Sequence, residues 1–349
     1  MTLYRYISHV FHIICLSLAC SAGVVAQTGS QTEFDQWLDA LKQEALAEGI
    51  RQETIDVALA QVQFIERVIE SDRKQAEFTE SYAEYLKKRV SPWRIEKGRE
   101  YIRAHESDLS RVSQKYRVPG RFVASILGVE TNYGTFKLSH SLFDVLVTLA
   151  YDPRRGERFR KEVFAALTIV DKGYAELGQL KSSWAGALGM PQFMPSTYLQ
   201  FAVDDDGDGK KDIWNHGPDL YASVANYLSH YGWQDDQAWA RKVLLPNKKH
   251  DSLLVSDSRT SDAPKACQRY LKHLEVWRGL DDWDYHGVRR MNTAHLPNVN
   301  IAASLIVTNE NANHGYLVYG NFCALMRYNP SFKYALTVGV LSDNLKYTN

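Results

Sequence analysis

From Glu33 to about Arg117 the apolar residues recur at helical spacing. FDQWLDALKQEALAEGI closes on Gly49, and SYAEYLKKRV runs into Pro92. IEKGREYIRAHESDLSRVSQKYRV reads as one long amphipathic helix stopped by Pro119. A chain that opens this way has to bury helix faces against other helices, so the fold is expected to be mainly α. The next helix carries the feature that bears on chemistry. In VPGRFVASILGVE, Val123, Ile126, Leu127 and Glu130 fall at i, i+3, i+4 and i+7, on one helix face, and Gly134 ends the run. A carboxyl group on an apolar stripe must be paired, metal-bound or held neutral by a raised pKa. The third state is what a general acid needs. A structural glutamate tied to an arginine or to backbone donors is the alternative, and this stretch alone does not separate the two.

Further along, helices are expected from about Ser141 to Ala150, from Arg158 to Leu177 and over DLYASVANYLSHYGW. Between them Ser182–Phe201, with two prolines and two glycines among aromatics and methionines, reads as a tight loop or a short helix pair around a cleft. From Ala240 to about Pro297 the composition shifts, and VLLP, SLLVSD and LEVW read as short strands of a small β-containing insertion. IAASLIVTN and YLVYGNF are strand-like, while NFCALMRYN and YALTVGVLSDNL read as helices returning to the core. No internal repeat is visible.

Lysine plus arginine and aspartate plus glutamate both number 41, and no long basic run occurs, so nothing points to nucleic acid. The N-terminus reads as a signal peptide over residues 1–26: Arg5, the apolar run VFHIICLSLACSAGVV, and Val24-Val25-Ala26 before Gln27. A lipoprotein anchored through Cys20 is the alternative, although SLAC has Ser17 where a lipobox usually has leucine. Beyond that segment only Cys267 and Cys323 remain. An oxidising compartment permits a bond between them, and two buried thiols are equally compatible with the sequence.

VDDDGDGKKDIW is a second candidate site. Asp204, Asp206 and Asp208 stand at positions 1, 3 and 5 of an EF-hand-like loop, with Gly209 at position 6. Lys210 offers its backbone carbonyl at position 7, and Asp212 stands at position 9. Position 12 is Asn215 rather than the expected glutamate. Closely spaced acids repel unless a cation sits among them, so a structural Ca2+ is expected, with Lys210 and Lys211 compensating in part.

GVETNYG, SSWAGALGMPQFMPSTY, FAVDDDGDGKKDIW, ANYLSHYGW and NFCALMRYN follow one another in this order. Together they resemble the lytic murein transglycosylase B family, periplasmic enzymes of the lysozyme-like superfamily that cut peptidoglycan. The resemblance runs from about Glu33 to the C-terminus. It implies a mainly α (α+β) fold in which a lysozyme-like core over 119–240 holds the EF-hand-like loop. An N-terminal helical region (27–118), the β-containing insertion (241–300) and a C-terminal segment returning to the core (301–349) complete it.

The resemblance also implies that the MurNAc-β-1,4-GlcNAc bond is cleaved without water, leaving 1,6-anhydro-MurNAc ends, with Glu130 as the single acid and base. It assigns Ser183, Gln192, Tyr85, Tyr227, Tyr328 and Asn329 to the sugar-binding shell. Ser183 is equally a helix N-cap, and each tyrosine has a packed structural role as its alternative. Asp219 is the implied closing carboxylate of the metal loop, and an N-cap otherwise. Implied partners are glycan strands and other cell-wall enzymes, with a membrane only if Cys20 is lipidated. Two readings compete. A lysozyme-like hydrolase would need a second carboxylate, for which Asp144 and Asp152 are nearest in sequence; a non-catalytic envelope glycan-binding protein would need none.

Overall fold

The computed structural model describes residues 31–74, 80–246, 253, 263–308 and 313–346. The expected signal segment and nearly all of SLLVSD lie outside these residues. The N-terminal helices are α1 (Gln31–Ala47), α2 (Gln52–Ala58), α3 (Glu66–Arg73), α4 (Tyr82–Arg89), α5 (Pro92–Ala104) and α6 (Glu106–Tyr116). The single long helix expected before Pro119 is therefore two. The chain turns at His105, which ends α5 and precedes α6 with φ −120° and ψ 24°. The break lets the halves take different partners, as α5 packs chiefly on the helix Gly120–Thr131, while α6 packs chiefly on the helix Pro218–His230. Periodicity shows two amphipathic halves but not a change of direction between them.

The centre of the molecule is α7 (Gly120–Thr131). Phe122 through Gly128 are buried without interruption, wider than the one face that the spacing predicts, because α5, α6, α11 and α14 surround the helix. Then come α8 (Leu142–Tyr151), α9 (Gly156–Asp171), α10 (Pro195–Phe201), α11 (Pro218–His230), α12 (Leu280–Tyr285), α13 (Gly320–Tyr328) and α14 (Phe332–Asn344). Asp171 ends α9 short of the expected Leu177, and Gly173 follows in the left-handed region at φ 68°. The segment 182–194 is a set of turns leading into α10, which starts on Pro195.

Two short strands, β1 (His140–Ser141) and β2 (Lys181–Ser182), pair beside α8. A five-stranded antiparallel sheet contains β3 (Ala240–Leu244), β4 (Arg278–Gly279), β5 (Arg289–Arg290), β6 (Ala302–Ile306) and β7 (His314–Val318), in the order β4-β6-β7-β3-β5. The sheet thus draws strands from both sides of residue 300. LEVW leads into β4 without pairing, and its Val276 and Trp277 are buried. Val243, Leu245, Trp283, Leu305 and Leu317 form a small core of their own, separate from the large one built around α7.

Cys267 and Cys323 are disulfide-bonded, with Cα atoms 5.2 Å apart. The bond ties the 3-10 turn Lys265–Tyr270 to α13.

Candidate active site and acidic loop

The last turn of α7 carries Glu130, and the chain then reverses sharply. Asn132 and Tyr133 both lie in the left-handed region, at φ 55° and 59°. Such a conformation costs a non-glycine residue about 1 kcal/mol or more, so surrounding contacts must hold it. Arg94 Nε donates to Asn132 Oδ1 at 3.0 Å, and Tyr133 Oη donates to the Arg94 carbonyl at 3.0 Å. Two glycines make room for the Tyr133 ring. A Cβ at Gly98 would stand 2.3 Å from its hydroxyl oxygen, and one at Gly128 would stand 2.6 Å from Cζ. Thr131 Oγ1 donates to the Met190 carbonyl at 3.1 Å, joining the end of α7 to the turns of 182–194.

Glu130 is half-buried, so the helix that carries it is in the core while its carboxyl group faces a wall of tyrosines. Tyr334 Oη, from α14, donates to Glu130 Oε1 at 2.7 Å. The Tyr328 ring stacks near-parallel to Tyr334, with centroids 6.3 Å apart, and its hydroxyl donates to the Pro191 carbonyl at 2.7 Å. Burial first, and then the Glu130 charge, hold both phenols well above the ordinary tyrosine range. Both are therefore neutral donors at any physiological pH. Tyr227 continues the wall, 4.9 Å from Tyr328 and 5.8 Å from Phe193, and its hydroxyl donates to the Arg327 carbonyl at 2.5 Å.

Tyr85 is buried against the same cluster, close enough to Tyr334 to act on its phenol, with the Arg89 guanidinium 3.6 Å from its ring centroid. Gln192 is held at φ 55° with Nε2 donating to the Gly189 carbonyl at 2.8 Å. The Ser183 hydroxyl accepts from Ala187 N at 3.2 Å, so it closes a turn rather than capping a helix. Asn329, half-buried, follows α13 directly and accepts from Ser331 N through its carbonyl. Tyr334 meets the Glu130 carboxyl group, and Tyr328 and Tyr227 follow it through ring contacts. Tyr334 is the member that sequence reasoning missed. Its signal was a tyrosine inside an apolar helix, where a hydroxyl has to find a polar partner.

Asp144 and Asp152 are engaged elsewhere. Asp144 accepts from Gln63 N at 3.1 Å, while buried Asp152 accepts from Arg154 N at 3.0 Å and faces Arg73 at 3.7 Å. Concavities of about 700 Å³ open beside α6 and beside α2, and Glu130 lines neither.

In the acidic loop, Asp204, Asp206, Asp208 and Asp219 each bring an oxygen within 4.8 Å of the others. Gly207 and Gly209 supply the left-handed turns, at φ 79° and 88°, that fold the loop back on itself. Asp219 sits in the first turn of α11, nearly fully buried, accepting from Asp205 N at 2.7 Å and from Asp212 N at 2.9 Å. Burial raises its pKa against those donors. Four hard oxygen donors converging on one point fit calcium. The structure does not bring the Asp212 carboxyl group into this set. Its oxygens accept from Trp214 N, Asn215 N and Asn215 Nδ2 and close the turn instead. The Lys210 side chain points away to Glu176, 3.0 Å distant. Asp205 turns to α6 instead, its side chain covered and paired with Arg111 and Lys115. The loop touches the first site through its exit. Met190 N donates to the Ile213 carbonyl at 2.9 Å, and a Cβ at Gly134 would stand 3.2 Å from His216 Cε1.

Residues 33–343 match the family model described as the transglycosylase SLT domain. The membrane-bound lytic murein transglycosylase B of Escherichia coli (strain K12) is 34% identical over 228 residues, which cover 61% of this chain. The match spans 63% of that relative's length. Among solved structures, SltB3 from Pseudomonas aeruginosa in complex with NAG-anhNAM-pentapeptide is 38% identical with a TM-score of 0.81, covering 89% of this chain and 79% of that one. The Escherichia coli lytic transglycosylase Slt35 in complex with calcium is 26% identical with a TM-score of 0.69, covering 89% and 92%.

Proposed function

The chain belongs to the transglycosylase SLT-domain family, and from that premise we propose that it is a peptidoglycan lytic transglycosylase with Glu130 as its single acid and base. The observation that carries this reading is the half-buried Glu130 carboxyl group, held at 2.7 Å by the neutral Tyr334 hydroxyl, while Asp144 and Asp152 are committed to other partners. A glycosidase normally needs two carboxylates. One suffices if the nucleophile is the substrate's own C6 hydroxyl. Protonated Glu130 gives its proton to the leaving glycosidic oxygen. The resulting carboxylate then takes the proton from the muramic C6 hydroxyl as that oxygen closes on C1. The 1,6-anhydro ring forms, no water enters, and Glu130 is protonated again. Tyr334 steadies the carboxylate between the two steps.

Tyr85, Ser183, Gln192, Tyr227, Tyr328 and Asn329 are the residues we assign to the glycan-binding shell. Tyrosine supplies a stacking face with a polar tip, and glutamine supplies an amide for N-acetyl groups. The segments 27–118, 119–240, 241–300 and 301–349 are the proposed units of the fold. The activity belongs in the periplasm, reached through the apolar segment 1–26, with Cys20 lipidation as the alternative. Among the described residues no helix is long and apolar enough to cross a membrane.

The test is a digest of purified peptidoglycan with residues 27–349, read by mass spectrometry. Products one water lighter than hydrolytic muropeptides are expected. Reducing-end products would replace this reading with a hydrolase. Tyr334→Phe sharpens the test. A hydrogen bond donated to a carboxylate favours its ionised form, so losing it raises the Glu130 pKa. The first step needs protonated Glu130, so the alkaline limb of the pH–rate profile moves to higher pH, while the maximal rate falls about tenfold. An unshifted limb would remove Tyr334 from the account.

Calcium, held by Asp204, Asp206, Asp208 and Asp219, and by the Lys210 carbonyl, is proposed as structural. It supplies charge compensation that lets the loop brace the turns bearing Met190. A ligand at 100 times its Kd stabilises the native state by about 2.7 kcal/mol. Chelation should therefore lower the Tm by several degrees. Protein stripped of metal that melts unchanged on calcium addition would rule the ion out.

A further inference from the structure

Another concavity lies at the end of α7 remote from Glu130. It has a volume of about 380 Å³ and opens where the start of α7, the segment after α11, β3 and the end of α14 meet. Three of the side chains that line it, Arg121, Trp233 and Arg241, each keep a buried N–H without a hydrogen-bond partner, at Nε, Nε1 and Nε. Of the two larger concavities, the one beside α6 holds one such residue, Arg121, and the one beside α2 holds none. A buried donor left unanswered costs about 1–3 kcal/mol, so three around one space point to an acceptor that belongs there. Trp233 is only 7% exposed and is fixed edge-on against Phe122, with ring centroids 4.4 Å apart. Arg121 and Arg241 are half-buried, so their guanidinium forks can turn into the space.

The charges around the concavity favour an anion. Its two carboxylates are already engaged. Asp235 pairs with Arg117, and Asp343 accepts from Trp239 Nε1 at 3.0 Å and pairs with Lys346 at 2.8 Å. Burial holds the Arg121 guanidinium below the ordinary arginine range, and Asp343 opposes this only from a distance. Arg241 meets the Tyr319 hydroxyl, a group that burial keeps neutral. Two cations are thus left without a carboxylate of their own. The helix adds to this field. The 12-residue α7 begins at Pro119 with no side-chain cap, and Pro119 lines the same space, so the positive end of the helix dipole lies there.

We propose that this concavity binds a small organic anion, its carboxylate or phosphate head taken by Arg121, Arg241 and the Trp233 indole and its apolar body seated on Phe122 and Trp239. Planar N–H forks and an indole N–H suit an oxyanion. The volume falls within the range of about 300–1,000 Å³ usual for small-molecule sites, so there is room for more than the head. The site is separate from the one around Glu130. Arg121 stands in the first turn of α7 and Glu130 in the last, roughly 13 Å apart along the axis at about 1.5 Å per residue. A bound anion ties α7 to β3, and so the large core to the small one, without touching the reacting atoms.

The test is a titration of residues 27–349, labelled with nitrogen-15 at tryptophan, with benzoate and with phenyl phosphate. Sodium chloride at equal ionic strength is the control. The indole N–H resonance of Trp233, assigned by its loss in Trp233→Phe, should move saturably with at least one probe, at a Kd on the order of 1 mM. Benzoate acting alone identifies a carboxylate head, phenyl phosphate acting alone a phosphate head, and both acting a general oxyanion site; each supports the proposal. Arg121→Gln combined with Arg241→Gln should weaken binding about tenfold or more, because charge-assisted hydrogen bonds are lost. The corresponding lysine pair should keep part of the affinity, since the charge stays and the fork goes. No saturable movement with either probe, or a movement that chloride reproduces, overturns the site, as does undiminished affinity in the glutamine pair. Should that pair fail to fold, either single variant decides by the same criterion. None of these outcomes bears on the transglycosylase reading, which the digest tests separately.

Discussion

Glu130→Gln is expected to abolish formation of anhydro products while leaving the fold and glycan binding in place. Glutamine keeps the shape of the carboxyl group, and its carbonyl oxygen still accepts from the Tyr334 hydroxyl, now 2.7 Å from Glu130 Oε1. It has no proton to give to a leaving oxygen and no basic oxygen to take one back. Positioned acid and base catalysis contributes about 10²- to 10⁴-fold for one transfer. Here one group performs both transfers, so the upper part of that range is expected, roughly 10³- to 10⁴-fold in kcat, or about 4–5.5 kcal/mol of barrier. Because Glu130 is half-buried and the substitution is nearly isosteric, the Tm should stay within a degree or two. Turnover on purified strands together with a thermal melt of the same sample checks both halves. Residual activity above a few per cent would move the acid to another residue. A collapsed melting curve would make Glu130 a structural glutamate, the alternative that the helix pattern leaves open.

Much of the fold is legible because helix faces and strands are local patterns. The runs that became α7, α8, α11, α13, α14, β6 and β7 carry their own periodicity and their own stop signals. What escapes is set by tertiary partners. The break at His105 exists because α5 and α6 face different helices, and the two amphipathic halves join without a proline or glycine to mark it. The β4 pairing after LEVW depends on β6, which comes later in the chain.

The site divides the same way. Glu130 is visible as a charge on an apolar stripe, and the acidic loop is visible as spacing. Tyr334 is not, since only the crossing of α14 over α7 brings its hydroxyl to Glu130. Asp212 and Asp219 illustrate the limit of a template. Position counting favours Asp212, but the loop leaves the template at Asn215, and the buried start of α11 puts Asp219 among the converging oxygens instead.

Removing the Cys267–Cys323 bond is expected to have the largest effect on stability. The cross-link spans 56 residues, a segment containing the strands β4, β5, β6 and β7. In the chain-entropy account, closing a loop of that length restricts the unfolded chain by about 4 kcal/mol. Both cysteines are fully buried, so the pair Cys267→Ala and Cys323→Ala also loses packing in the large core. At about 2.1 cal/mol/K of unfolding entropy per residue, a chain of 349 residues loses about 1.4 °C in Tm per kcal/mol, so a fall of roughly 6 °C or more is expected. Reduction of the wild-type protein should reproduce most of it, and the alanine pair should then be insensitive to reductant. The bond also sets where the turn Lys265–Tyr270 lies against α13, the helix that ends in Tyr328. Loss of the bond should therefore weaken substrate binding as well as stability, while the Glu130–Tyr334 contact, made by α7 and α14, keeps its geometry and kcat changes little. A Tm shift below about 2 °C would mean that packing alone seats the turn on α13. A fall in kcat as large as the rise in KM would mean that α13 and α14 do not hold their positions independently.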